Sequence, residues 1–228
     1  MGRRILNRVF LIACAVGMVA TTAPTVEAAP EGLRMARLKY GGGGDWYSNP
    51  TSLPNLVKGL RERTSIEIAT GEEARVEIME ENLFSYPLLY MNGHGEVRFS
   101  QAEVDRLREY LERGGFLWAD DNYGMDRSFR REIAKVFPET RLVDLPFTHG
   151  VFNSFYPLPD GLPKVHEHDG QPPQALGLFH EGRLVVLYTY EADIGDGLED
   201  KQVHNDSDDV REAAMRFAVN LVVYAMTQ

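Results

Sequence analysis

Cysteine is almost absent. Cys14 is the single one among 228 residues, and it falls in a stretch that reads as a leader. A thiol nucleophile, a disulfide and a thiolate zinc site are therefore excluded for the folded body. Basic charge is also short: 24 Lys and Arg stand against 34 Asp and Glu, a formal net charge of −10. A broad nucleic-acid footprint or adhesion to an anionic lipid surface needs clustered cations, so both are excluded as expectations. There is no G-x-S-x-G elbow for serine chemistry, and no G-x-x-x-x-G-K-[ST] phosphate loop. The apolar stretch "VFLIACAVGMVA" (residues 9–20) is too short to span a bilayer comfortably.

That stretch follows Arg3, Arg4 and Arg8 and precedes "TTAPTVEAAP", where Val26 and Ala28 supply the small-residue pattern of a cleavage site. The expected organisation is a signal peptide over residues 1–28 and a single α/β domain over 29–228. Removing the three arginines and Glu27 leaves 200 residues and moves the charge from −10 to −12. The product would be periplasmic or secreted, and not an integral membrane protein. Two alternatives stand beside this: an uncleaved anchor, and a lipoprotein box at "LIAC" that would make Cys14 the lipid-bearing terminus.

With 43% hydrophobic and 25% charged residues, the remainder is of ordinary globular composition. Residues 34–40 read as a first strand ending at Gly41–Gly44. Residues 52–63 read as a helix with Leu53, Leu56, Val57 and Leu60 on one face and Pro54 in its first turn. "SIEIAT" (65–70) and "ARVEI" (74–78) are short strand candidates, and "YPLLYMNGHG" is a buried strand running into a glycine-flanked histidine. Ser100 and Glu103 form a capping-box pattern for a helix stopped by Gly114 and Gly115. "FLWADD" is another strand, followed by a helix ended before Pro138. Residues 138–175 form a Pro-rich insertion. "ALGLFHEGRLVVLYTY" is a hairpin turning at Glu181-Gly182. "EADIGDGLEDKQVHNDSDD" reads as a solvated acidic loop, with Asp208 and Asp209 in the first turn of a last helix. The order predicts an open, mostly parallel sheet with helices on both faces and a C-terminal hairpin.

In such sheets ligands bind outside the carboxyl ends of the strands. Four exits are polar or glycine-rich: Gly41–Asp45, Asn92–Gly95, Asp120–Asn122 and Glu191–Asp196. The fourth joins the others only if its hairpin strand runs the same way. The glycine loop lacks the lysine and the prompt helix of a phosphate cradle. Three readings remain for it: a phosphate loop of unusual form, a plain turn, or a close backbone approach. The last aims Asp45 and Trp46 at a cleft, with Gly43, Gly44 and Tyr47 in the ligand-binding surface. His94, unshielded between glycines, suits a proton carrier or metal ligand, or a turn bonded to backbone. Asp120 and Asp121 face opposite sides if the strand continues, so only one can face the rim, as a metal ligand, a base or the cap of the following helix; the other reading is helix capping plus a solvated acid. A divalent metal would suit His94, His149, one of Asp120 or Asp121, and Asp193. "HEHDG" (166–170) has metal-ligand spacing but reads as exposed loop.

The segments "LKYGGGGDWY", "NGHGEVRFSQAEVDRLREYLERGGFLWADD", "DIGDG" and "NLVVYAMT" together resemble the bacterial family called domain of unknown function 4159, from about Arg34 to Thr227. That family is similar to the class I glutamine amidotransferase-like superfamily. The resemblance implies a flavodoxin-like three-layer α/β/α sandwich. It also implies gene neighbours of the MoxR-type ATPase and von Willebrand A-type classes as envelope partners. In amidotransferases a cysteine follows the strand that corresponds here to 116–122; this chain has Asp120 and Asp121 there. The expectation is an exported ligand-binding or assembly module of the cell envelope. The alternative is a metal-dependent or acid/base hydrolase of a small or carbohydrate-like substrate, with His94, Asp120 and Asp121 at its centre.

Overall fold

The structure, a computed structural model, describes residues 32–69 and 73–228. The expected leader and Cys14 lie outside the described residues. In chain order the elements are β1 (Met35–Lys39), α1 (Ser52–Arg63), β2 (Ala74–Glu77), β3 (Leu88–Gly93), α2 (Gln101–Glu112), β4 (Phe116–Asp121), α3 (Asp126–Val136), β5 (Val143–Asp144), β6 (Gln174–His180), β7 (Arg183–Tyr190), α4 (Ile194–Leu198), α5 (Lys201–His204) and α6 (Asp208–Thr227).

One seven-stranded sheet runs in the order β2-β1-β3-β4-β7-β6-β5. The first five of these strands are mutually parallel, while β6 and β5 are antiparallel additions at one edge. Alternation along the strands divides the core. Leu88, Tyr90, Phe116 and Trp118 face α1, α4 and α6, whereas Leu89, Met91, Leu117 and Ala119 face α2 and α3. All residues of β3 and β4 are buried, as strands covered on both faces must be. The capping box of α2 is present: Glu103 N–H donates to Ser100 Oγ at 3.3 Å, and Ser100 N–H to Glu103 Oε2 at 2.7 Å.

Three expectations are corrected. Among its described residues "SIEIAT" contributes only an isolated bridge between Leu33 and Ile68, while β2 takes the edge of β1 from Ala36 to Lys39. The segment 138–175, read as a Pro-rich insertion, is integral to the domain, since Leu145, Val151, Phe152 and Leu162 are buried in the α6 side of the core. The acidic segment after β7 is not a solvated loop. It folds into α4 and α5, and Glu191, Asp193 and Glu199 are buried. Glu199 shows why: its Oε1 accepts from Thr51 N–H at 2.7 Å, Thr51 Oγ1 at 2.9 Å and Ser52 N–H at 3.1 Å. It supplies the anionic cap that α1 does not find in its own N-cap side chain. Among the described residues, no helix is long and apolar enough to cross a membrane.

Candidate functional site

Because β7 is parallel to β4, all four polar strand exits open onto one rim. At the first, the glycines let two exits run side by side. Arg98 N–H donates to the Gly41 carbonyl at 2.9 Å, and Gly44 N–H to the Glu96 carbonyl at 3.0 Å. Gly42 has φ +111°, and a Cβ there would lie 2.7 Å from the Glu96 carbonyl oxygen; Gly43, at φ +92°, is open to solvent. A Cβ on Gly44 would meet the carbonyl oxygens of His94 and Glu96 at 2.7 and 2.9 Å. Both obstacles are backbone and cannot swing away. Gly44→Ala is therefore expected to cost about 1–3 kcal/mol, read as a lowered urea midpoint with an unchanged slope; a neutral effect would show that the two exits need not approach.

This approach brings Asp45 to His94. Asp45 Oδ1 accepts the His94 N–H, and Asp45 Oδ2 lies 3.0 Å from His94 Nδ1. The carboxylate thereby favours the tautomer with its proton on Nδ1 and leaves Nε2 on a half-exposed ring. Trp46 is not aimed at a cleft. It is half-buried against the core, with Lys39 Nζ and the Arg75 guanidinium each 5.8 Å from its ring. Tyr47, edge-on to Trp46, is exposed.

Asp120 and Asp121 do face opposite sides, and neither is free. Asp120 is fully buried, its Oδ1 accepting from the Thr189 hydroxyl and its Oδ2 from Gly195 N–H at 2.6 Å. Burial pushes its carboxyl up to about 7. Asp121 Oδ1 accepts from Tyr123 N–H at 3.0 Å and Met125 N–H at 2.9 Å, tying down the turn before α3. Burial raises it too, with those two bonds opposing the rise.

His149 lies elsewhere. Its ring packs 5.0 Å from that of Tyr224, near the end of α6. There Gln228 bonds Leu184 at the start of β7, so His149 marks the amino end of the sheet, and burial lowers its pKa. The set His94, His149, Asp120 or Asp121, and Asp193 is therefore not brought together.

A different set is. "HEHDG", read as exposed loop, folds onto the rim. His166 Nδ1 lies 2.9 Å from Asp196 Oδ2, and His166 Nε2 lies 3.2 Å from Asp206 Oδ1. His168 Nε2 lies 2.5 Å from Asp193 Oδ2, and the His168 ring stacks on Tyr123 at 4.7 Å. His204 Nε2 is 3.7 Å from Asp196 Oδ2. Asp196 is oriented through its other oxygen, which accepts from Asn49 Nδ2 at 2.6 Å and Asn122 Nδ2 at 2.7 Å. Asp193 is pushed up to about 9, first by burial and then by the charges of Asp120, Asp196, Asp121 and Glu191. Backbone strain gathers here: Asn49, Tyr123, Glu191, Asp193 and Asn205 all have positive φ, a conformation that costs non-glycine residues and concentrates at functional sites.

A family model described as Domain of unknown function (DUF4159) matches residues 34–226. The chain belongs to this family. No curated protein matches it.

The DUF4159 match takes in every rim residue named above. Beside the histidine cluster a groove of about 300 Å³ is lined by Asp121, Tyr123, Asp126, Arg127, Asp169 and Tyr190. Larger cavities of about 490 and 350 Å³ lie under Pro157–Pro163 and beside the start of β1, and no residue of the histidine cluster lines them. The rim of this DUF4159 domain thus offers an oriented histidine at β3, an acidic groove edged by tyrosines at β4, and a histidine–carboxylate cluster at β7.

Proposed function

We propose that this chain is an exported DUF4159 domain of flavodoxin-like, amidotransferase-related build whose strand-exit rim binds a ligand in the cell envelope. The build is supported by a mostly parallel sheet with helices packed on both of its faces. Export is supported by the arginine-led apolar leader and its small-residue cleavage pattern. MoxR-type ATPases and von Willebrand A-type proteins are the partners the family resemblance points to.

One observation favours binding over thioester chemistry. At the β4 exit, where amidotransferases present a cysteine, both carboxylates are buried and engaged in holding adjacent loops. What the rim exposes instead is aromatic and acidic: Tyr123 is half-exposed, its hydroxyl 3.2 Å from Asp169 Oδ1, over the groove that Tyr190 and Asp126 complete. Such a surface suits a neutral sugar or a group carrying positive charge. An amino-sugar oligomer combines both properties. In a calorimetric titration with glucosamine oligomers, Tyr123→Ala is expected to weaken binding at least tenfold. Absence of heat with the unaltered protein, or equal affinity of the variant, would count against the reading.

A second reading, metal-dependent hydrolysis of a small or carbohydrate-like envelope substrate, is favoured by the histidine–carboxylate cluster. Its first requirement is a bound ion.

A further inference from the structure

We infer that His166, Asp196 and His204, joined by Asp193, form a binding site for a zinc-class divalent cation that pins α4, α5 and the 164–170 loop to the rim. One ligand atom from each of His166, Asp196 and His204 lies within 4.8 Å of the others. His166 Nδ1 and Asp196 Oδ2 are 2.9 Å apart, Asp196 Oδ2 and His204 Nε2 3.7 Å, and Asp193 Oδ2 and His166 Nδ1 3.4 Å. Donors about 2.0–2.1 Å from a tetrahedral ion sit about 3.3–3.4 Å from one another. These three spacings bracket that value.

Two independent features point to a cation. The first is Asp193. It is fully buried; its Oδ2 lies 3.4 Å from His166 Nδ1 and 2.5 Å from His168 Nε2, and its Oδ1 has no hydrogen-bond donor. A buried carboxylate oxygen left without a partner is costly unless something positive fills the gap. The second is the surrounding shell. Ligating histidines usually give their other ring N–H to a carboxylate, and ligating carboxylates are themselves hydrogen-bonded. Here His166 Nε2 faces Asp206 Oδ1, and Asp196 Oδ1 is held by Asn49 and Asn122 from the β1 and β4 exits. Two imidazoles with carboxylate oxygens select zinc or a similar transition metal over calcium or magnesium, which prefer all-oxygen shells. The His166 and His204 side chains are 27% and 30% exposed, which leaves the ion a route in.

The competing explanation is His166 bridging Asp196 and Asp206 by hydrogen bonds with no ion. This inference stands apart from sugar binding at Tyr123 and supplies the ion that the hydrolase reading needs. His204 is the residue to change, since it lies in the exposed four-residue α5 and its loss does not open the core. The purified protein, stripped with a chelator and dialysed against zinc, should retain one equivalent per chain and unfold at a higher temperature than the stripped form. His204→Ala should keep the circular dichroism spectrum and the stripped-state melting temperature, but bind zinc at least 100-fold more weakly. Asp206→Asn should lose about 10–100-fold. Cobalt(II) should give the intense visible absorption of a tetrahedral site. Zinc below a tenth of an equivalent with no thermal shift, equal zinc affinity in His204→Ala, or binding of calcium or magnesium alone would each overturn the assignment.

Discussion

Replacing Arg37 by alanine is expected to lower the stability of the fold by about 3–5 kcal/mol, a fall in melting temperature of about 10 °C for a domain of this size. Arg37 sits in β1 with no exposure to solvent. Its Nη1 donates to the Ser48 carbonyl at 2.8 Å and to Asn92 Oδ1, its Nη2 to the Asn49 carbonyl at 2.8 Å, and its Nε to Glu73. The guanidinium also lies over Tyr90, 5.1 Å from the ring centroid. Alanine would leave Asn92 Oδ1 without a donor and a nearly buried Glu73 carboxylate without its Arg37 partner, and the Ser48 and Asn49 carbonyls would keep only Asn92 Nδ2 and Ser52 as donors. Desolvated groups without partners, rather than the lost attraction itself, set the size of the effect. Arg37→Lys should recover the charge but not the fork, and remain destabilised. Removing both charges, as Arg37→Met with Glu73→Gln, should lose less than Arg37→Ala. Urea unfolding of the three variants checks the order. A loss below about 1 kcal/mol for Arg37→Ala would show that water replaces the guanidinium. The damage should also reach the rim: Arg37 holds the backbone of Asn49, and Asn49 orients Asp196.

Arg37 also marks where the sequence stops being readable. The elements that could be read carry local signals. The Ser100–Glu103 box, the helical spacing of Leu53, Leu56 and Leu60, and the apolar runs of β3 and β4 each lie within a few residues of one another. The parallel rim followed from the order of those elements. A basic residue inside a strand, by contrast, reads as solvent-facing; its partners at Ser48, Asn49, Glu73 and Asn92 come from three other segments. The histidine cluster was hidden for the same reason. His166 meets Asp196 and Asp206 across 30 and 40 residues. The helices that carry its other members, α4 and α5, have five and four residues, too short to show a period. A usable signal existed: of the six histidines, His166 and His168 precede the acidic run from Glu191 to Asp206 and His204 lies within it. His149 misled because spacing along a Pro-rich segment does not say which end of the sheet the chain visits.

Asp120 should make the metal-free protein lose stability as pH rises. Its folded-state pKa is about 7, against about 3.9 for an unfolded aspartate. Between these values the native state holds a proton that the unfolded chain has released, so stability falls from about pH 4 to pH 7 and levels off above. Three units correspond to roughly 4 kcal/mol at full strength. The amide introduced by Asp120→Asn would mimic the protonated acid. Its oxygen can still accept Gly195 N–H, and its NH₂ can donate to Thr189 Oγ1, whose hydroxyl also lies 3.3 Å from the Ala119 carbonyl. Asp120→Asn is therefore expected to match the parent near pH 4 and to exceed it by roughly 3–4 kcal/mol at pH 8. Asp120→Ala should be destabilised at pH 4, because Gly195 N–H loses its acceptor and a cavity opens beneath α4. Urea midpoints at pH 4, 6 and 8, taken in chelator, separate the cases. A parent and Asp120→Asn that run parallel across this range would mean that Asp120 is ionised throughout, and that Gly195 N–H and Thr189 alone outweigh its burial.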